Sequence, residues 1–196
     1  MLHIVRHGES TWNAEHRLQG QLDPPLSAEG RAQAVALAPL VARLGVPPER
    51  VVCSDLGRAR ETAALLGLEP GTYDPAWREI DVGAWGGRTA AEVDAEADGL
   101  TNWRGGARTA PDGEPWEAFA ARVARAADAL IAAGGPWLVV SHGGCIRATC
   151  AHVTGGDALS FGSPPNASLT TIELGPRPRL LSYGVTPDGA PATGLY

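Results

Sequence analysis

The chain has 196 residues, 44% hydrophobic and 19% charged, which suits one well-buried globular domain and excludes a disordered chain. A formal net charge of −6 leaves no basic face overall and speaks against a nucleic-acid partner. All 16 basic residues are arginine, so any bound anion must be met by a few concentrated guanidinium groups.

Residues 2–5 form a short apolar run and read as a buried strand ending at Arg6-His7-Gly8-Glu9. The polar stretch 9–25 reads as loop with some helix. Ser27 is a good N-cap for a helix whose apolar stripe is Leu37, Leu40, Val41 and Leu44, and Gly45 with Pro47-Pro48 ends it. A second strand over 51–53 delivers Ser54 and Asp55, and a helix over 58–66 follows. Residues 77–82 read as a short extended piece carrying Glu79. Periodicity weakens over 83–115, which is expected to be a small cap folded over the sheet edge. A helix over 116–132 turns Phe119, Val123, Ala127, Leu130 and Ile131 inward. A strand over 137–140, a helix over 145–152 and a hairpin of 168–174 with 179–185 complete the chain, and the tail after Pro187 is expected to fray.

No apolar stretch approaches membrane-spanning length, and the N-terminus enters a strand directly, so neither a membrane partner nor a signal peptide is expected. Cys53, Cys145 and Cys150 are odd in number and lack metal-ligand or CxxC spacing, which points to a reducing, cytoplasmic setting.

Buried strands alternating with helices imply a parallel-type α/β sheet, which binds ligands beyond its carboxyl edge. His7 and His142, each following an apolar run, are then expected on the same rim. An imidazole can attack phosphorus directly and split one hard displacement into two easier ones. Arg6 suits the phosphoryl group because its planar fork donates two parallel charged hydrogen bonds. One guanidinium cannot neutralise a dianion, and Arg58, opening the helix after the second strand, is the candidate for the other. Arg60 and Glu61 are expected to pair structurally. His142 would complete the cradle, and Gly143 would let the amides of the following helix approach phosphate oxygens. His3, His16 and His152 are left as structural residues.

The residues Arg6 to Asn13, Leu26 to Gly30, Ser54 to Thr62, Arg78 to Gly83 and Ser141 to Gly144 together resemble the histidine phosphatase superfamily, the phosphoglycerate mutase-like clan. The resemblance spans nearly the whole chain. It implies one domain over 1–196, a three-layer sandwich with a mostly parallel central sheet flanked by helices, and a cap insertion at about 83–115. It implies His7 as nucleophile, Arg6, Arg58 and His142 as phosphoryl ligands, and Glu79 as general acid. Asn13 and Gln19 match positions that meet the phosphate or lie near it. One departure stands out: Trp85 is followed by Gly86-Gly87, where the family often has an acidic residue before glycine.

The roles agree with the chemistry. Charge grows on the leaving oxygen as the ester breaks, and Glu79 would supply a proton there. The arginines act as fixed charges where other enzymes use metals, so neither a metal nor a cofactor is expected. His7 must be neutral while Glu79 is protonated, the reverse of the order in which the free groups titrate. The rate is therefore expected to peak at mildly acidic to neutral pH. A metal-independent phosphatase acting on a small phosphorylated metabolite is the favoured reading. A cofactor-dependent mutase stays open because Arg88, Arg104 and Arg108 in the cap can hold a second anionic group. A catalytically silent phosphoester-binding protein is the alternative from another class, and a homo-oligomer is compatible with all three.

Overall fold

The computed structural model describes residues 1–96 and 109–188. Its strands are β1 (Leu2–Arg6), β2 (Val51–Cys53), β3 (Thr72–Tyr73), β4 (Trp137–Ser141), β5 (Leu169–Glu173) and β6 (Arg179–Val185). They form one sheet in the order β3-β2-β4-β1-β5-β6. The run from β3 through β1 is parallel, whereas β5 pairs antiparallel with both β1 and β6. The helices are α1 (Thr11–Ala14), α2 (Ala28–Ala42), α3 (Gly57–Leu65), α4 (Ala90–Glu96), α5 (Trp116–Ala133) and α6 (Gly143–Thr154).

Successive side chains of a strand point to opposite faces, so a strand covered on both sides must be apolar throughout. Leu2 and Ile4 of β1, Val52 of β2 and Val139 of β4 pack with Phe119, Val123 and Ala127 of α5 and with Cys145, Ile146 and Cys150 of α6. Val5, Val51, Cys53, Leu138 and Val140 face the other way, onto Leu37 and Val41 of α2 and Ala59 and Ala63 of α3. The expected three-layer sandwich with a mostly parallel sheet is thus present, a helix pair on each face. Burying such side chains contributes about 1.5–3 kcal/mol for each large aliphatic or aromatic one.

Helix ends follow from local chemistry. Ser27 Oγ accepts the Gly30 N–H at 2.9 Å and caps α2, and α2 closes before Gly45, whose φ of +61° suits glycine. The α5 stripe holds at Phe119, Val123 and Ala127, while Leu130 and Ile131 are only half-buried. Residues 77–82 correct the expectation of an extended piece. A 3₁₀ turn occupies Pro75–Trp77, with Asp74 accepting from the Ala76 N–H, and the segment beyond it joins no strand. The two-residue β3 was not foreseen.

Residues 83–96 leave the sheet through a 3₁₀ turn at Gly83–Trp85 and then α4. Trp85 is buried with Val82, Val93 and Ala110, so its role is packing. Gly86 lies where a Cβ would sit 2.5 Å from Leu22 Cδ1, so a side chain at the position that departs from the family pattern would have to push the exposed Leu22 tip aside. Trp103, Arg104 and Arg108, and the tail from residue 189, lie outside the described residues.

Candidate active site

Parallel pairing fixes where the two histidines go. Arg6 is in register with Ser141, so β1 and β4 end together, and the His7 N–H donates to the Ser141 carbonyl at 3.0 Å. β2 ends beside them, with the Ser54 N–H donating to the Val140 carbonyl at 2.9 Å. Three strand ends thus deliver His7, His142 and Ser54 to one carboxyl edge, and the two imidazole centroids lie 5.1 Å apart.

His7 is 3% exposed. Its Nδ1 lies 2.6 Å from the Gly8 carbonyl oxygen, which can only accept, so Nδ1 carries the hydrogen and Nε2 the lone pair. The Arg58 Nε–H donates to that Nε2 at 3.4 Å. Burial first, and then the charges of Arg58 and Arg6, hold the His7 pKa well below that of a free imidazole. The same causes, burial foremost, depress His142. The arginines therefore act as expected on His7, but behind desolvation. Both shifts favour the neutral ring.

Arg58 is 1% exposed, and its position is built by the loop before α2. Nη1 donates to the Leu22 carbonyl and Nη2 to the Gly20 carbonyl, each at 2.8 Å. Asp23 accepts from the Gly57 and Arg58 N–H groups, capping α3 where its own N-cap residue, Leu56, supplies no side-chain bond. Thr62 closes the unit, accepting the Gly8 N–H at 3.0 Å and donating to the Arg58 carbonyl at 2.7 Å.

Arg6 lies on the opposite side, donating through Nη1 to Ser163 Oγ at 3.2 Å and to the Pro164 carbonyl. A Cβ on Gly143 would meet Arg6 Nε at 3.5 Å, so Arg6 lines the opening turn of α6. His142 Nε2 is 2.8 Å from Ser54 Oγ, a hydroxyl that can donate or accept. Two buried polar atoms at this edge have no partner: Arg6 Nε and His142 Nδ1. Such groups are costly unless something satisfies them, and an anion between the two histidines would do so.

Glu79 borders the same edge. Its carboxylate accepts from the Gly144 N–H at 2.9 Å and the Ile80 N–H at 2.9 Å. A Cβ at Gly144 would lie 2.1 Å from Glu79 Oε1, so a side chain here would displace the Glu79 carboxylate from its present position. The charge of Glu79 acts favourably on both Arg6 and Arg58.

Asn13 and Gln19 join through Ser10. Asn13 Oδ1 accepts from the Ser10 N–H at 3.1 Å and from Asn166 Nδ2 at 3.2 Å, and Asn166 Nδ2 also donates to the His7 carbonyl at 3.1 Å. Gln19 Oε1 accepts from Ser10 Oγ at 2.8 Å. These contacts fix the amide of Asn13 with its NH₂ group left for a ligand.

His7, Arg6, Arg58, His142, Glu79, Gly143, Asn13 and Gln19 are therefore gathered at one sheet edge. Arg88 instead donates to the Glu92 carbonyl within the insertion. The expected Arg60–Glu61 pair does not form: Glu61 meets Arg31 at 2.6 Å, and Arg60 stacks over Tyr73 at 4.8 Å, because adjacent helical residues point apart. Asp23, Thr62, Asn166 and Arg122 were missed. Only Thr62 had a local signal, its place one helical turn after Arg58. Among the described residues no group of His, Cys, Asp and Glu is arranged to hold a metal ion, and no helix is long and apolar enough to cross a membrane.

The family model of the histidine phosphatase superfamily (branch 1) matches residues 2–184. A glucosyl-3-phosphoglycerate phosphatase of Mycolicibacterium vanbaalenii is 42% identical over 166 residues, covering 78% of this chain and 73% of that protein. A probable phosphoglycerate mutase of Enterobacter sp. (strain 638) is 39% identical over 160 residues, covering 76% of this chain and 73% of its own length. The solved structure of a mycobacterial glucosyl-3-phosphoglycerate phosphatase in complex with VO3 superposes with a TM-score of 0.81 at 37% identity, over 91% of this chain and 96% of that one.

Proposed function

This chain belongs to the histidine phosphatase superfamily, and on that premise we propose that it hydrolyses a small phosphomonoester through a phosphohistidine on His7, without a metal. The observation that carries the reading is the unprotonated Nε2 of His7, which meets the Arg58 Nε–H across a long 3.4 Å contact, with Arg6 Nε and His142 Nδ1 unpartnered nearby.

In the first step Nε2 attacks phosphorus, the ester P–O bond breaks, and the proton of Glu79 goes to the leaving oxygen. Arg6, Arg58 and His142 hold the non-bridging oxygens and stabilise the charge spread over them. Asn13, with Gln19 joined to it through Ser10, would offer its amide hydrogens to the same group. In the second step water attacks phosphorus, Glu79 takes the water proton, and the P–N bond breaks to return neutral His7. Desolvation of His7 supports this sequence, because only the neutral ring can attack.

The substrate we favour is the phosphate ester of a small hydroxy acid or its sugar conjugate, by analogy with the phosphatase relatives. Residues 83–115 serve as the cap of one domain spanning 1–196, and the three unpaired cysteines favour a reducing, cytoplasmic setting. A phosphate-release screen over such esters, with His7→Ala as blank, tests the activity. Release by the native chain and none by the variant is expected; equal release by both overturns it.

The second reading, a mutase, draws on the relative named as a probable phosphoglycerate mutase. A bisphosphate primer separates the two: phosphate release without primer supports the phosphatase, and primer-dependent isomerisation supports the mutase.

A further inference from the structure

Glu79 sits in a segment with no strand ladder, so its backbone must be held by other means. At one end the Trp77 carbonyl accepts from Ser141 Oγ at 2.7 Å; at the other the Asp81 carbonyl accepts from the Glu114 N–H at 2.9 Å. Between them a single side chain of α5 reaches in. Arg122 Nη1 donates to the carbonyls of Ala76 at 2.9 Å and Arg78 at 3.0 Å, and Nη2 reaches the Glu79 carbonyl at 3.4 Å.

That guanidinium is itself locked. Glu114 takes it in a two-pronged ion pair, Nε to Oε1 at 3.0 Å and Nη2 to Oε2 at 2.6 Å. The side chains of the pair are only 20% and 18% exposed, and the Phe119 ring lies 5.2 Å from the guanidinium carbon. Glu79 is thus fixed on two sides, its carbonyl from α5 and its carboxylate from the Gly144 N–H of α6.

The geometry points to Arg122 as a positioning residue for Glu79: it ties the backbone of residues 76–79 to α5, and Glu114 holds it in place. The inference rests on the proposed role of Glu79 as general acid. Arginine is required because its planar fork spans several acceptors at once, whereas the donors of lysine radiate from one point. A displacement of about 1 Å in a proton donor can cost about 10²-fold in rate. Because Glu114 lies where residues 109–115 return to α5, the same pair links the insertion to the acid.

A comparison of two leaving groups tests this. The nitrophenolate of p-nitrophenyl phosphate departs without a proton, whereas the alkoxide of an alkyl phosphomonoester needs one from Glu79. For Arg122→Gln the expected kcat/KM falls by about 10²-fold on the alkyl ester and changes little on p-nitrophenyl phosphate, with Arg122→Lys biased the same way. Retained p-nitrophenyl phosphatase activity certifies the fold. Equal losses on both esters, or no loss on either, overturn the inference. If Arg122→Gln does not fold, Glu114→Gln, which keeps the guanidinium but unlocks it, is read by the same criterion. Glu79→Gln is run alongside. If it shows no leaving-group bias, the general-acid premise fails by itself; if it shows the bias and Arg122→Gln does not, only the positioning role fails.

Discussion

Arg58 directs its Nε–H at Nε2 of His7 across 3.4 Å, so the atom proposed to attack phosphorus faces a buried cation. The arrangement disfavours the imidazolium and keeps Nε2 unprotonated. It depends on the other two guanidinium nitrogens being occupied by the carbonyls of Gly20 and Leu22, which leaves Nε turned toward the site.

Arg58→Lys keeps a positive charge but cannot serve the two carbonyls and the site together. Loss of one preorganised donor typically costs about 10²–10³-fold in kcat, and that loss is expected here. The stranded carbonyls cost about 1–3 kcal/mol each if they remain buried, so thermal unfolding should also shift downward. Steady-state kinetics with a melting curve check both effects.

The depressed pKa values of His7 and His142 make the fold acid-sensitive. Protons bind the unfolded imidazoles below about pH 6.5 but not the buried native ones. This part of the stability is therefore full above that pH and is lost as the pH falls toward the native values. Two such groups set a ceiling of about 2.7 kcal/mol per pH unit on the slope. Denaturant unfolding between pH 7.5 and 5 measures it, and His142→Gln should roughly halve the contribution.

Gly144→Ala places a methyl group where Glu79 Oε1 now sits, 2.1 Å away. A carboxylate at the end of a flexible side chain can swing aside, so the fold should survive. Hydrolysis of alkyl phosphomonoesters should fall by about 10²-fold. Circular dichroism and kinetics on the same preparation separate the two.

Asn166→Asp puts an acceptor where an NH₂ group now serves the His7 carbonyl and Asn13 Oδ1. Asn13 then loses the contact that fixes its amide. Affinity for inorganic phosphate should weaken by about tenfold, or about 1.4 kcal/mol, as read by titration calorimetry. Unchanged affinity would remove Asn13 from the phosphoryl cradle.

The sheet and the place of His7 at its edge were legible because their signals are local. Leu2, Ile4 and Val5, and Leu138 to Val140, are apolar on both faces, as central parallel strands must be, and each run is followed two residues on by a histidine. Ser27 announced α2 because capping is a one-turn matter. What stayed hidden was contact between distant segments. Asp23 caps a helix that begins at Gly57, and Arg122 serves carbonyls 43–47 residues earlier in the chain; neither leaves a periodic trace. Residues 77–82 were read as an extended piece, but the alternation of Trp77, Ile80 and Val82 with charged residues does not reveal that the segment opens on a 3₁₀ turn and is held by side chains rather than by a strand ladder.

The central claim concerns one bond, between phosphorus and Nε2 of His7. The direct measurement is to mix the protein with a phosphomonoester substrate, quench under alkaline denaturing conditions that preserve phosphohistidine, and map the modification by mass spectrometry. The account predicts a phosphoryl group on the peptide containing His7, absent from His7→Ala and bleeding away as substrate is exhausted. Turnover with no phosphoryl group at residue 7 under rapid quench, or with the label on another residue, would contradict it.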